Sequence, residues 1–273
     1  YLCCLATLWI LQLRAADGMA LSYLLEQRIS WIPLNYAVMI LAIVFVTANV
    51  YSRLEKFITG ILFITVLCFI GIAFMTAPEP GEFFSGFVPR LSDPQMPARY
   101  LILLVSIVGT TVLWPNFFLQ STIVKEKGWI NAGDYRFAVR DTVLGFTVGV
   151  MGSGAILIGS AAIIRPLGIA TIETFITPAL VLSETIGYLG SVLFLVGLFL
   201  AAFNSSIVIT TTMVYILHQA VGKPVKFGDR SFLTLFIVIS VIGSLFPEVT
   251  RLTGLSVVDA IILFPGVNGA LGL

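Results

Sequence analysis

Residues 100–125 read YLILLVSIVGTTVLWPNFFLQSTIVK. An apolar run from Tyr100 to Val112 is followed by Leu113-Trp114-Pro115-Asn116 and by a second apolar run, Phe117 to Val124. A helix crosses a bilayer core in about 20 residues, so the stretch has the length of a membrane span. Pro115 lacks an N–H, and its ring clashes with the preceding turn. The helix is therefore expected to kink or open there. Gly109, Thr110 and Thr111 add backbone freedom and hydroxyls just before it. An opened helix in mid-membrane exposes carbonyls and two half-helix ends, which secondary transporters use to bind ions and substrates. Proline kinks are common in membrane helices, so the plainer reading of this motif alone is a bend without a site.

The rest of the chain has the same character. Of 273 residues, 58% are hydrophobic and 11% charged. A soluble domain averages about 45–50% apolar and about 25% charged, so lipid must solvate much of this surface. Eight segments have spanning character, at roughly 2–25, 32–50, 55–76, 100–125, 140–164, 182–218, 232–247 and 254–273. The fold class expected is an all-α polytopic membrane protein, a single transmembrane domain over 1–273. Both ends fall inside apolar runs, and the chain is read as an internal piece of a larger protein. The net charge of +1 gives no reason to expect nucleic acid or an acidic partner. Cys3, Cys4 and Cys68 have no metal-ligand spacing. No nucleophile–base pair or phosphate loop is present, which disfavours an enzyme.

Lys and Arg set the orientation. Nine lie in the connections after the second, fourth and sixth segments, among them Arg53, Lys125, Arg136 and Lys223, against five on the other side. The first set is cytoplasmic, and the first segment then runs outward.

Other polar residues fall inside the spans. Asn204-Ser205-Ser206 and Thr210-Thr211-Thr212 offer oxygens that can coordinate hard cations or fasten a neighbouring helix; packing is the plainer role for most of them. Asp259 lies in the last segment, where a carboxylate is costly and defaults to a functional hypothesis. Arg14 and Asp17, spaced i, i+3, share a helix face and are expected to pair with each other; a gating role is the alternative. His218 is read as interfacial rather than as a ligand. Gly145-x-x-x-Gly149 allows close helix packing.

Gly109-Thr110-Thr111-Val112-Leu113-Trp114-Pro115-Asn116-Phe117-Phe118-Leu119-Gln120-Ser121 resembles, without gaps, the sixth-helix signature G-A-T-V-M-P-H-N-L-Y-L-H-S of the NRAMP family of divalent metal transporters. Ile32-Pro33-Leu34 and Arg53-Leu54-Glu55-Lys56-Phe57 resemble the family's fourth helix and its R-K-L-E-x-F turn. Phe137-Ala138-Val139-Arg140-Asp141 is similar to the start of the seventh helix, and Asn204-Ser205-Ser206 falls on the eighth-helix Q-S-S. The resemblance implies helices three to ten of a LeuT-type inverted repeat. It also implies a divalent metal ion as substrate, held between the broken first and sixth helices. The first helix, with its D-P-G-N motif, lies outside this chain and would complete the site. The implied ion-site positions here are Thr110, Thr111, Leu113, Trp114, Asn116, Asn204 and Asp259.

The departures have a chemical direction. The family's methionine ligand falls on Leu113, its proline on Trp114, and its two histidines on Pro115 and Gln120. Its acidic pair, associated with proton movement, aligns with Leu11 and Arg14. Sulfur favours transition metals, whereas oxygen ligands and retained water suit magnesium. The chain is therefore similar in site character to the NRAMP-related magnesium transporter branch, with magnesium or manganese as cargo and weak or no proton coupling, in the plasma membrane. The alternatives are a proton-coupled manganese or iron importer, an amino-acid transporter of the same architecture, or a non-transporting scaffold or sensor.

Overall fold

The computed structural model describes residues 2–48, 51–76, 79–85, 97–111, 114–129, 131–164, 176–254, 266–267 and 270. Every regular element among them is helical: α1 (Leu2–Leu24), α2 (Trp31–Thr47), α3 (Tyr51–Thr76), α4 (Pro80–Ser85), α5 (Pro97–Thr111), α6 (Trp114–Glu126), α7 (Tyr135–Ile164), α8 (Thr177–Ile186), α9 (Tyr188–Ala220), α10 (Arg230–Gly243) and α11 (Phe246–Thr253), with a 3-10 turn at Ala132–Asp134. Lipid offers the backbone no hydrogen bonds, so a spanning segment must bond its own, and the helix does so.

Where they are described, the first seven expected segments coincide largely with helix. The eighth, with Asp259 and Asn268, lies largely outside the described residues. Two boundaries differ from expectation. The sixth segment is two helices, because Gly187 adopts φ +82° between α8 and α9; that left-handed conformation is open to glycine and ends a helix. The seventh is also divided, at Ser244 and Leu245, between α10 and α11. Among the described residues, three stretches are long and apolar enough to cross a membrane: Ala132–Ala161, Tyr188–Ala220 and Arg230–Thr253. Trp31–Thr47 and Val66–Met75 are shorter apolar helices. Among the described residues, fewer spans thus qualify by length and composition than the eight expected.

The long helix α9 is the centre of the bundle. It packs against α1, α3, α6, α8 and α10. One apolar cluster joins Ile10 of α1, Val38 and Ala42 of α2, Phe203 and Met213 of α9 and Phe232 of α10. A second joins Phe69 and Ile72 of α3 to Ala155 of α7 and Leu182 of α8. In lipid, apolar side chains gain little by preferring a helix over a lipid tail, so small residues that admit close contact decide the packing. Two glycines of this kind, Gly18 of α1 and Gly243 of α10, lie at the contacts of α1 with α2 and with α10. A Cβ at Gly18 would stand 2.6 Å from the Trp31 carbonyl oxygen and 3.1 Å from the Asn35 nitrogen, both backbone atoms of α2. A Cβ at Gly243 would collide with the Ile10 side chain. Gly145 and Gly149, by contrast, meet nothing within 4 Å, so their expected packing role is not exercised among the described residues.

Gly18→Ala and Gly243→Ala are expected to lower the thermal unfolding midpoint of the detergent-purified protein, since overpacking costs about 1–3 kcal/mol. Gly145→Ala should leave the midpoint unchanged or raise it, because alanine is the better helix former by about 1 kcal/mol. Equal losses in all three would show that the α1 contacts are not the tight ones.

Candidate ion site

The expected opening in the fourth segment is bracketed by helix. Thr110 and Thr111 close α5, and Trp114 opens α6. Pro115 and Asn116 themselves have helical backbone, so the expected opening does not fall on them. Val112, Leu113 and Asp259 lie outside the described residues, as do the side chains of Thr110, Thr111, Trp114 and Asn116.

α6 is fixed to α9 by a side-chain bond, Gln219 Nε2 donating to Thr122 Oγ1 at 3.0 Å. The helix bearing Asn204 is therefore the one that the lower half of the fourth segment rests on. Along α9, the polar run separates into two roles. Ser206 donates to the Phe203 carbonyl at 2.8 Å, Thr210 to the Ser206 carbonyl at 2.7 Å and Thr212 to the Val208 carbonyl at 2.8 Å. These hydroxyls are satisfied within their own helix. Asn204 is different. Its side chain is half-buried, yet Oδ1 is shut off from solvent and has no hydrogen-bond partner. A buried amide oxygen without a donor is costly, and its two lone pairs suit a hard cation.

His218 lies in the last turn of α9, at the end of its span as expected. It is buried, with Nδ1 2.9 Å from the Val214 carbonyl and Nε2 2.7 Å from Ser231 Oγ, and so ties α9 to α10. Both ring nitrogens are engaged in hydrogen bonds. Among the described residues no three His, Cys, Asp or Glu side chains gather as a metal cluster.

The expected direct pairing of Arg14 and Asp17 is also absent. Both are fully buried. Arg14 Nη1 donates to the Val38 carbonyl at 3.2 Å, across to α2. Neither Asp17 oxygen has a hydrogen-bond partner, Arg14 included. Spacing of i, i+3 gave a common face, as expected, but not contact. Beside them Asn35 Nδ2 donates to the Ser244 carbonyl at 2.9 Å, joining α2 to the α10–α11 elbow. Asn35 and Ser244 were not singled out from the sequence. A polar residue one turn inside an apolar helix was the available signal.

Comparison with known proteins agrees with the fold. The chain is 32% identical over 195 residues to a natural resistance-associated macrophage protein 2 homolog of Dictyostelium discoideum, covering 68% of this chain and 30% of that protein. It is 28% identical over 202 residues to the divalent metal cation transporter MntH of Xylella fastidiosa, covering 71% and 42% respectively. To MntH of Brucella suis it is 26% identical over 212 residues, covering 74% and 46%. The chain thus spans less than half the length of these curated relatives. The family profile described as natural resistance-associated macrophage protein-like matches residues 2–270, nearly the entire sequence, and the chain belongs to that family.

Proposed function

We propose that this chain is part of a secondary transporter that carries magnesium or manganese across the plasma membrane with little or no proton movement. It is not an enzyme. The observation that carries the reading is the buried, unpartnered Oδ1 of Asn204, on a helix bound to the fourth segment, in a chain of this family. The ion would lie between the fourth segment and α9, with Thr110, Thr111, Asn116 and the carbonyls around them facing it. Asp259 would add a charge from the last segment. On the LeuT-type reading, eight spans of this chain belong to two inverted repeats, and a helix outside it supplies the remaining ligands.

Asn204→Leu removes the oxygen at similar volume. In proteoliposomes holding the full-length protein, magnesium and manganese uptake at subsaturating metal should fall by about tenfold, equivalent to about 1.4 kcal/mol. Unchanged uptake by the folded variant would mean that Asn204 is not a ligand.

The reading of weak or no proton coupling rests on Leu11, Arg14, Pro115 and Gln120, which stand where the resembled family has titratable groups. Leu, Pro and Gln carry no transferable proton, and arginine remains protonated. Uptake should therefore respond to the metal gradient and to voltage, with no accompanying acidification of the vesicle lumen. Metal-dependent acidification would instead indicate the proton-coupled manganese or iron type.

Leu113 stands at the position of the family's thioether ligand. Leu113→Met is close to volume-conserving, so the fold should tolerate it. Sulfur is the better partner for softer ions, and the variant should shift competition in favour of manganese and cadmium over magnesium. An unmoved selectivity ratio in an active variant would remove Leu113 from the site.

A further inference from the structure

The buried polar groups where α1 meets α2 and α10 take no part in the proposed transport site. α1 touches α10 where Ile10 lies against Gly243, and α2 where Gly18 lies against Trp31 and Asn35. Arg14 and Asp17 fall between those two contacts, on the face that Ile10 begins, since residues four and seven apart share a helix face. The α2 and α10 sides are themselves joined there by the bond from Asn35 to the Ser244 carbonyl. Arg14, Asp17, Asn35 and Ser240 are all fully buried. Arg14 Nε and Nη2, both Asp17 oxygens, Asn35 Oδ1 and Ser240 Oγ have no protein partner.

The chemistry of these atoms selects what can satisfy them. Arg14 offers only donors, while Asp17 and Asn35 Oδ1 offer only acceptors when the carboxylate is ionised. A metal ion would satisfy the acceptors but be repelled by Arg14. An anion would satisfy the donors but be repelled by Asp17. Water both donates and accepts, and buried water characteristically bonds polar groups that the protein leaves unmatched.

We propose that the junction of α1, α2 and α10 is an internal water site, in which bound water bridges the Arg14 guanidinium to the Asp17 carboxylate. The bridged pair fastens α1 in the notch between α2 and α10, and Arg14 keeps the transported cation out of this junction. The inference does not depend on the identity of the cargo.

The test is a double-mutant cycle on the full-length protein in detergent, with Arg14→Met, Asp17→Leu and their combination, and Asp17→Asn as a near-isosteric control. Each single change strands a buried charge, so each should lower the thermal midpoint by several degrees. The combination should be no worse than the weaker single variant, as expected when a whole buried pair is exchanged for apolar groups. Additive losses, or an Asp17→Asn variant indistinguishable from the parent, would overturn the pairing. If the single variants do not fold, recovery of folded protein by the double variant supports the proposal and its failure overturns it. A structure resolving bound water distinguishes the bridge from direct contact. Water oxygen within hydrogen-bond distance of both groups is expected, and a direct Arg14–Asp17 bond would refute the water site.

Discussion

Lipid forms no hydrogen bonds, and this constraint governs the structure from backbone to side chain. Each spanning backbone closes its bonds within its own helix. Hydroxyls follow the same rule: Ser106 donates to the Ile102 carbonyl, Thr147 to the Val143 carbonyl and Thr210 to the Ser206 carbonyl. With so much satisfied internally, few polar groups remain to distinguish one neighbouring helix from another. Those few join particular pairs: Arg14 to Val38, Asn35 to Ser244, Gln219 to Thr122 and His218 to Ser231. Together with the close approaches at Gly18 and Gly243, they fix an arrangement that apolar packing against lipid-like neighbours would leave loosely determined.

The same constraint explains what the sequence made legible. Hydrophobic length is a direct consequence of bilayer thickness, so the stretch expected at 2–25 is α1 at Leu2–Leu24, and 55–76 falls within α3 at Tyr51–Thr76. The break at Gly187 was not foreseen. The chain has 24 glycines, five of the described ones have positive φ, and nothing local marks Gly187 as the one that interrupts a span. The elbow at Ser244 was missed for a related reason, because a single serine between apolar runs is compatible with an unbroken helix. His218 lies at the end of its span, as read, but its burial comes from Ser231 on the next helix, which no pattern within α9 contains.

The candidate site was legible in residue type rather than in state. Asn204-Ser205-Ser206 and the three threonines beyond it were recognisable as oxygens inside a membrane helix. Which oxygen remains available depends on side-chain torsions and neighbours. Ser206 and Thr210 turn back to their own helix, while the Asn204 amide oxygen does not find a donor. Arg14 and Asp17 illustrate the same gap: spacing predicts a shared face, yet Arg14 turns to the Val38 carbonyl while neither Asp17 oxygen finds a donor.

On the proposed reading, these oxygens also bear on the form in which the cation is carried. An amide oxygen, threonine hydroxyls and helix-end carbonyls are dipoles that solvate a divalent ion without neutralising its charge, and Asp259 would offset only one of its two charges. Stripping such an ion of water in a low-dielectric interior is prohibitive unless charged ligands compensate. A site that lacks the thioether and both histidines, with Leu113, Pro115 and Gln120 in their places, therefore gains by leaving part of the hydration shell on the ion. Magnesium, which dehydrates reluctantly and prefers oxygen, loses least in that arrangement. A softer ion finds no sulfur there, although manganese also accepts oxygen ligands. Discrimination then lies in how much water the pocket allows the ion to keep, a property of the width between the fourth segment and α9 as much as of any one ligand.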